Sequence, residues 1–361
     1  MKNTPFQIFS ILIIFSLISC SEEKNEGFEF GTQFDRDKMD TFFSILEEKN
    51  LDMGSIAIFK NGQLDYQKSF GKADIEKSIS ATHQTKYRIA SISKSFTASI
   101  IMQLIDENKL ALNTTLDTYF SELPNSNLIT IESLLRHRSG LYNYTNYADG
   151  TDITQTATRE QLIDLFIENG TVFEPNEQTE YSNTNYVILA FIIEIIDNKT
   201  FSESLKDRIT IPLGLENTYN GNAINTSNLE ALSYTLELNN WVLAPETNIS
   251  LVIGAGSIVS TPADITTFYQ NLFNGNVVSE NSFKQMVAIN NAFGIGLISV
   301  PFYQKTGFGH TGLLDGFQSA SYYFPNDDVS ISITFNGVSM PVNDVIVGAL
   351  SIYSGLEYSL P

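Results

Sequence analysis

The sequence predicts an α/β fold of the α+β type, in which one antiparallel sheet is built from both ends of the chain and is flanked by helices. Three observations predict it: a hairpin pattern near the start, helical periodicity in the middle, and segments rich in β-branched and aromatic residues towards the end. Strands at both ends with helices between them are typical of one layered domain. We place this domain at 35–361, with an inserted all-helical subdomain at roughly 90–210.

The first elements of this domain are a helix and a hairpin. Apolar residues recur at helical spacing over 35–50. The segments 55–59 and 63–67 alternate as strands do and are separated by Asn61-Gly62, a pair that supplies the positive φ angles of a tight turn. We therefore expect the first two strands of the sheet here.

The middle of the chain is expected to be mainly helical over 110–210, most clearly at 183–197. Before it, residues 92–108 predict a helix that is apolar on most sides and hence buried. The remaining predicted elements are a short helix at 264–273, strands at 293–300, 316–324 and 329–336, and a final helix at 342–353.

Composition limits the class of partner. The chain has 361 residues, of which 42% are hydrophobic and 17% charged, as in ordinary globular proteins. Its net charge of −20 repels nucleic acids, so we expect no nucleic-acid partner. Three scattered histidines and one cysteine offer no metal-site spacing, and no cofactor is implied.

The N-terminus predicts an exported lipoprotein. An apolar run over 6–19 is too short to span a bilayer comfortably and ends in the sequence LISC, which resembles a bacterial lipobox. Residues 1–19 would then be a signal peptide and Cys20 the lipidated first residue. The alternative is an ordinary signal peptide with an incidental cysteine. The polar, acidic stretch 20–34 predicts a flexible tether.

A lipidated cysteine implies a location. Several acyl chains on one residue anchor a protein firmly to a membrane. We therefore expect the protein in the bacterial cell envelope, attached through an N-terminal lipid anchor. Ser21 after the cysteine favours the outer membrane, and the periplasmic and surface faces both stay open.

The first chemical motif is Ser91-Ile92-Ser93-Lys94. A serine hydroxyl needs a base in contact with it, and a lysine three residues further on a helix lies on the same face. Burial would lower the pKa of Lys94 towards neutrality, so that it could accept the serine proton. The same spacing also starts at Ser21 and Ser69, but only Ser91 opens a long apolar helix. The alternative is a helix-capping serine with a solvated lysine.

The second motif is Tyr181-Ser182-Asn183, at a junction between a loop and the helix predicted at 183–197. A phenol here could transfer a proton, and the amide could bind a substrate carbonyl. Tyr-x-Asn also begins at Tyr144 and Tyr269. The alternative is a loop tyrosine followed by a helix-capping asparagine.

Two candidates exist for a third motif, Lys305-Thr306-Gly307 and His310-Thr311-Gly312. We choose the second, because a glycine-containing turn and an aromatic strand follow it. A structural histidine at a strand end is the alternative. Since histidine is mostly neutral at pH 7, we expect weaker binding of a substrate carboxylate than a lysine would give.

Together and in this order, the three motifs resemble the active site of serine β-lactamases and penicillin-binding proteins, specifically the class C β-lactamase and D-alanyl-D-alanine carboxypeptidase type. The resemblance covers about 41–357 and includes a Pro-Leu-Gly stretch at 211–215 and a glycine-rich stretch from 254. His310 in place of a lysine departs from efficient class C enzymes. His137 lies in a further stretch that resembles the family, where a structural role is expected.

This resemblance implies a β-lactamase/transpeptidase-like fold and an acyl-serine mechanism. Ser91 would attack the carbonyl, Lys94 would take its proton, and Tyr181 would protonate the leaving group. The N–H groups of Ser91 and Leu313 would form the oxyanion hole. Asn183, His310, Thr311 and Gly312 would contact substrate.

The implied function is that of a serine hydrolase related to D-alanyl-D-alanine carboxypeptidases and peptidases. Its substrate would be a small peptide, an ester or a β-lactam-like compound. An esterase or a weak class C-like β-lactamase could use the same residues. A catalytically silent binding protein of this fold is the alternative from another class.

Overall fold

A computed structural model of the protein describes residues 27–146, 152–359 and 361. The strands come from both ends of the described chain, as the sequence predicts. In chain order they are β1 (Asp52–Lys60), β2 (Gln63–Phe70), β3 (Lys72–Asp74), β4 (Ile79–Ser80), β5 (Tyr87–Arg88), β6 (Tyr219–Asn220), β7 (Tyr234–Glu237), β8 (Asn240–Leu243), β9 (Ile258–Ser260), β10 (Ile298–Phe302), β11 (Lys305–Leu314), β12 (Phe317–Phe324) and β13 (Val329–Val338).

The helices lie mainly between the two groups of strands. They are α1 (Arg36–Glu48), α2 (Ser93–Asp106), α3 (Ile131–Leu135), α4 (Arg159–Asn169), α5 (Asn183–Asp197), α6 (Phe201–Leu205), α7 (Ile211–Leu213), α8 (Pro262–Phe273), α9 (Glu280–Val287) and α10 (Val342–Tyr353). Short 3-10 turns occupy 90–92, 116–118, 226–228 and 249–252, and a π-helical turn occupies 206–210.

The main sheet has the order β10-β11-β12-β13-β1-β2, and all these neighbours are antiparallel. The hairpin β7–β8 joins the end of β13. Strand β1 pairs with β13 from Asp52 opposite Val338 to Lys60 opposite Val329. The first and last strands are therefore central neighbours, and the predicted antiparallel sheet from both chain ends is confirmed.

Two hydrophobic cores lie on opposite faces of the sheet. One is formed with α1 and α10, and the other with α2, α5 and α8. Alternation along β13 explains the division, because Ile331 and Ile333 belong to the first core while Ser330 faces the backbone of α8. The second core fixes α2, the helix that carries the first motif.

The helices predicted at 35–50, 92–108, 183–197 and 342–353 are confirmed to within a few residues. The prediction that 110–210 is mainly helical is wrong for much of that range, because α3 and α6 have only five residues each and long connections separate them. The connecting stretch 107–130 is rich in Asn, Ser, Thr and Pro, whose side chains favour turns and caps over helix interiors.

The predicted boundary between tether and domain needs correction. Phe30 is 1% exposed and packs against the rings of Phe302 and Phe324, and Phe34 packs on Tyr353. Residues 28–34 therefore belong to the packed domain rather than to a flexible tether. The physical reason is the three phenylalanines in this stretch, which bury apolar area against the sheet.

The predicted signal peptide, Cys20 and the first part of the tether lie outside the described residues. Within the described part of the chain, the helices are all too short or too polar to cross a bilayer.

Candidate active site

The first motif lies at the start of the buried helix α2. Residues 90–92 form a 3-10 turn that continues into α2, so Ser91 precedes the helix and Lys94 lies in its first turn. Because α2 is buried from Ser93 to Met102, the helix carries Lys94 into the interior. Ala90 has a φ of 49°, a left-handed angle that strains a residue with a Cβ, directly before Ser91.

The Lys94 amine contacts three uncharged oxygen atoms. Its Nζ lies 2.7 Å from Asn183 Oδ1, 2.7 Å from the backbone oxygen of Ala255 and 3.1 Å from Ser91 Oγ. Burial lowers the pKa of Lys94 well below its ordinary value, because the ammonium form loses its hydration. The structure therefore favours the neutral amine.

The neutral form of the Lys94 amine can hydrogen-bond to these three partners in one arrangement. Carbonyl oxygens only accept hydrogen bonds, so the two N–H groups of the amine go to Asn183 and Ala255. In that form its lone pair is left for Ser91, whose hydroxyl can donate to it, whereas the ammonium form donates to Ser91 Oγ over the same 3.1 Å. This arrangement equips Lys94 to take the serine proton.

Tyr181 supplies the second partner of Ser91. Its hydroxyl donates to Ser91 Oγ over 2.7 Å, and its ring centre lies 4.8 Å from Lys94 Nζ. Burial raises the pKa of the Tyr181 phenol, so the phenol keeps its proton at neutral pH. Ser91 thus lies between a base and a proton donor.

Asn183 is the first residue of α5, and both ends of its amide group are engaged. The oxygen accepts from Lys94, and Nδ2 donates to Thr145 Oγ1 over 2.8 Å. Its backbone N–H donates to Asn143 Oδ1 over 2.9 Å. One Nδ2 hydrogen is left for the substrate carbonyl that the sequence analysis assigns to Asn183.

Strand β11 brings the third motif to Ser91. Strand β10 pairs only with residues 305–309 of β11, so residues 310–314 extend beyond it and pack against the 3-10 turn that contains Ser91. A Cβ on Gly312 would lie 2.3 Å from the backbone oxygen of Ile89. Only glycine permits this approach, which brings β11 against the backbone that leads into Ser91.

The turn after β11 is fixed by charge and hydrogen bonds. Asp315 accepts from the backbone N–H and the hydroxyl of Thr247, the latter over 2.5 Å, and lies 3.5 Å from the buried Arg88 guanidinium. Ser319 on β12 also donates to the backbone oxygen of Ile89 over 2.9 Å. These contacts join the end of β11 to the segment that leads into Ser91.

His310 faces the same group of residues as a neutral ring. Its Nδ1 lies 2.5 Å from the backbone oxygen of Thr311, so Nδ1 carries the proton and Nε2 has the lone pair. Burial, together with the nearby Lys94, lowers the pKa of His310 to about 4. The ring centre lies 6.4 Å from that of Tyr181.

The reactive groups of the competing motif copies have other partners. Lys305 is at the far end of β11 and pairs with Asp327 over 2.5 Å. Ser69 on β2 accepts from Ser55, and Tyr269 is bonded to Ser95 in the interior. Tyr144 donates its hydroxyl to the backbone of Leu251. The structure thus brings Ser91, Lys94, Tyr181, Asn183, His310 and Gly312 together. The copy that begins at Tyr144 lies beside this group, because Thr145 accepts from Asn183, but the Tyr144 hydroxyl is directed to Leu251.

Sequence reasoning missed other parts of the site. The Ala255 carbonyl carries no side-chain signal, although it lies in the glycine-rich stretch from 254. Thr145 and Asn143 were overlooked because short polar loops contain many such residues. His137 was expected to be structural, yet its ring packs on Tyr181 with centres 4.5 Å apart.

Known proteins resemble this chain over most of its length. The profile of the family described as Beta-lactamase matches residues 40–349. A penicillin-binding protein of Bacillus subtilis is 29% identical over 286 residues, which cover 73% of this chain and 63% of that protein. The teichoic acid D-alanine hydrolase of Staphylococcus aureus is 28% identical over 218 residues, which cover 60% of this chain and 53% of that protein. The chain therefore spans between half and two thirds of the length of these relatives.

A solved structure resembles it more completely. The D-amino acid amidase of Ochrobactrum anthropi SV3, in complex with D-phenylalanine, has a TM-score of 0.78 and 25% identity, and the match covers 88% of this chain and 99% of that one. The fold and the family profile agree over the region that contains all three motifs. This chain belongs to the β-lactamase family.

Proposed function

We propose that this protein is a serine hydrolase that cleaves amide and ester bonds through an acyl-Ser91 intermediate. The observation that carries the proposal is the contact set of Lys94, whose two carbonyl partners leave its lone pair for Ser91. Family membership and the hydrolases among the relatives support it.

The first half of the reaction forms the acyl-enzyme. Ser91 Oγ attacks the substrate carbonyl carbon while its proton passes to Lys94. The negative charge on the carbonyl oxygen is met by the backbone N–H groups of Ser91 and Leu313, which the close approach at Gly312 supports. Tyr181 then protonates the leaving group, and the bond to the leaving group breaks.

The second half releases the acyl group. A water molecule attacks the ester carbonyl and gives its proton to the Tyr181 phenolate, while the Lys94 ammonium returns a proton to Ser91 Oγ. Ser91 leaves with a proton and is restored. The groups that acted as base and acid in the first half exchange roles, as microscopic reversibility requires.

The acyl group that we propose is a D-amino acid residue, in a peptide such as a D-alanyl-D-alanine fragment, in an amide or in an ester. The teichoic acid D-alanine hydrolase and the D-amino acid amidase among the similar proteins support this class. The free amine of such a substrate can donate a hydrogen bond. His310 Nε2 can accept it, because this atom carries the lone pair of the ring.

A β-lactamase is the second candidate on the same residues, and penicillin-binding relatives favour it. Burial lowers the pKa of Lys94 and lowers that of His310 to about 4, so the His310 ring is neutral at pH 7 and gives little attraction to a β-lactam carboxylate. We therefore expect kcat/KM for D-alanine p-nitroanilide to exceed that for nitrocefin.

The test of this function is intact-mass measurement after incubation with a fluorophosphonate. One adduct is expected in the wild-type protein and none in Ser91→Ala. Ser69→Ala is the matched control, because Ser69 begins another copy of the motif and should label normally. Absence of labelling together with absence of turnover on amide, ester and β-lactam substrates would leave the silent binding protein as the better description.

We further propose that the protein is exported and anchored to the cell envelope, in the outer membrane, by lipid on Cys20. The lipobox-like sequence that ends at Cys20 supports this proposal. In a bacterial host, the wild-type protein should partition with membranes and take up labelled palmitate. Cys20→Ala should abolish both, and equal uptake by the two proteins would disprove the anchor.

A further inference from the structure

His137 lies in the loop after α3 and is held in an unusual conformation. It is 2% exposed, and its φ of 56° is in the left-handed region. A residue with a Cβ adopts that region only where the surrounding contacts determine it. Those contacts lead to Tyr181.

The backbone N–H groups on both sides of Tyr181 donate to this one residue. The N–H of Glu180 donates to the backbone oxygen of His137 over 2.9 Å. The N–H of Ser182 donates to Nδ1 of the imidazole over 3.2 Å. His137 therefore holds the backbone at Glu180 and at Ser182, one residue before and one residue after Tyr181.

The imidazole also contacts the Tyr181 ring itself. The two ring centres lie 4.5 Å apart with planes 32° apart, and Phe293 packs against both rings at 4.9 and 6.0 Å. This packing limits the side-chain rotation of Tyr181. Its hydroxyl is thereby directed to Ser91 Oγ.

The proton positions of the imidazole follow from these bonds. Because Nδ1 accepts from a backbone N–H, the proton of the neutral ring is on Nε2. Burial, the nearby Lys94 and His310 lower the pKa of His137 well below its usual range. The titratable groups that face the ring are Lys94, His310, Tyr181 and Tyr186. Nδ1 thus stays an acceptor at neutral pH.

We propose that His137 is a positioning residue that holds the Tyr181 phenol in place for proton transfer to the leaving group. This inference rests on the proposed function of Ser91 and Tyr181. Two properties of His137 contribute to this role, the acceptor at Nδ1 and the bulk of the ring. Different substitutions remove them.

A nuclear magnetic resonance experiment on the wild-type protein tests the acceptor. In protein labelled with 15N in its three histidines, His137 should be protonated at Nε2 and His310 at Nδ1 between pH 6 and 8, with His137→Asn used for assignment. The two rings should therefore show opposite tautomers. A His137 protonated at Nδ1 would overturn the proposal.

The kinetic test compares two substrates with the same acyl group, D-alanine p-nitroanilide and D-alanine p-nitrophenyl ester. The amine leaving group needs a proton, whereas p-nitrophenolate departs without one. Loss of the Tyr181 position should therefore lower kcat/KM for the anilide more than for the ester. General loss of structure would lower both in proportion.

The variants separate the contributions of the ring and the acceptor. His137→Phe and His137→Ala lack the acceptor, and His137→Asn retains an acceptor near the Nδ1 position and tolerates positive φ. The anilide-to-ester ratio of kcat/KM should fall about 10²-fold in His137→Phe and His137→Ala and largely return in His137→Asn.

Ser139→Ala is the matched control. Ser139 is buried in the same loop and is bonded to Asn185 and Leu141. Asn185 lies 3.5 Å from His137 Nδ1, farther than the Ser182 N–H, so Ser139→Ala should lower thermal stability and leave the ratio nearly unchanged. An unchanged anilide-to-ester ratio in folded His137→Phe or His137→Ala would overturn the proposal. If neither variant folds, a reduced ratio in His137→Asn would overturn it. Failure of the proposed function is distinct, since the wild-type protein would then cleave neither substrate.

Discussion

The buried position of Lys94 changes the acid–base chemistry of its amine. The side chain is 0% exposed, and its amine meets two carbonyl oxygens and one hydroxyl. Burying an ammonium ion without a carboxylate is costly, and loss of the proton removes that cost. The same environment therefore stabilises the neutral amine and provides the base.

Replacement of this base gives the first prediction. Lys94→Met keeps the length and apolar stem of the side chain but cannot accept a proton. We expect kcat/KM on ester and amide substrates to fall at least about 10²-fold, because general-base catalysis is lost. Stopped-flow measurement of p-nitrophenol release checks it. Lys305→Met, at the other motif copy, should retain wild-type kinetics, and a similar loss in both variants would contradict the assignment.

His310 gives the second prediction, on stability against pH. Its folded pKa of about 4 lies below the ordinary 6.5, so the unfolded chain binds more protons between these values. The free energy of unfolding should therefore fall as the pH falls from about 6.5 to 4, by about 3 kcal/mol from this ring. The lowered pKa of His137 acts in the same direction.

Urea unfolding between pH 7 and 4 measures the effect. His310→Asn should reduce the loss of stability over this interval relative to the wild type, since the carboxyl groups titrate in both proteins. Equal losses in the two proteins would show that His310 is not desolvated. His83→Asn serves as a control, because His83 is solvent-exposed.

At the scale of elements, β11 determines whether the site is complete. The strand carries both copies of the third motif, and pairing with β10 over residues 305–309 leaves 310–314 free to contact the turn of Ser91. The turn and the aromatic strand that follow it favoured His310 over Lys305 in the sequence. The end of β10 is the structural reason why residues 310–314 are the ones that reach the serine turn.

Gly312→Ala tests this contact. The added Cβ would meet the backbone oxygen of Ile89 at 2.3 Å, so β11 and the serine turn must separate. We expect kcat/KM to fall by about 10- to 10²-fold, the range for a displaced oxyanion donor or catalytic group. Steady-state kinetics with the p-nitrophenyl ester checks it.

Gly307→Ala is the control on the same strand. Its Cβ would meet the Phe324 side chain at 2.9 Å, far from the serine turn. This variant should lose stability but keep the kinetic constants of its folded fraction. If Gly312→Ala behaved in the same way, the close approach of β11 would not matter for the reaction.

At the scale of the whole molecule, the two chain ends stabilise the domain together. β1 and β13 are adjacent, α1 and α10 cover the same face of the sheet, and residues 28–34 close that core. A chain that begins at residue 27 should therefore be more stable than one that begins at residue 35. Comparison of their thermal midpoints checks this, and equal midpoints would favour the original tether boundary.

The single substitution Phe30→Ala tests the same contribution of residues 28–34 to the stability of the domain. Deletion of a buried aromatic ring typically costs about 3–5 kcal/mol of unfolding free energy. Because Phe30 lies on the face of the sheet opposite α2, kcat should change little in the folded protein. Val172→Ala is the control, because Val172 is 50% exposed and its truncation should cost under about 0.5 kcal/mol. Urea unfolding and ester hydrolysis measure the two effects.

The sequence by itself determined the class of fold, the long helices, the first hairpin and the residues with reactive groups. Each of these depends on local spacing, such as the Asn61-Gly62 turn or the three-residue step from Ser91 to Lys94. The family resemblance also needs only the order of motifs, and the family profile confirms it.

The sequence selected one copy of each motif, and only the tertiary structure shows that these copies meet. Lys305 and His310 are five residues apart on one strand, yet one pairs with Asp327 and the other lies near Lys94. The structure also supplied the Ala255 carbonyl and the contacts of His137 with Tyr181. The reason is physical: the lowered pKa of Lys94 arises from desolvation, and its hydrogen-bond partners Asn183 and Ala255 are far away in sequence. Local spacing carries no information about either.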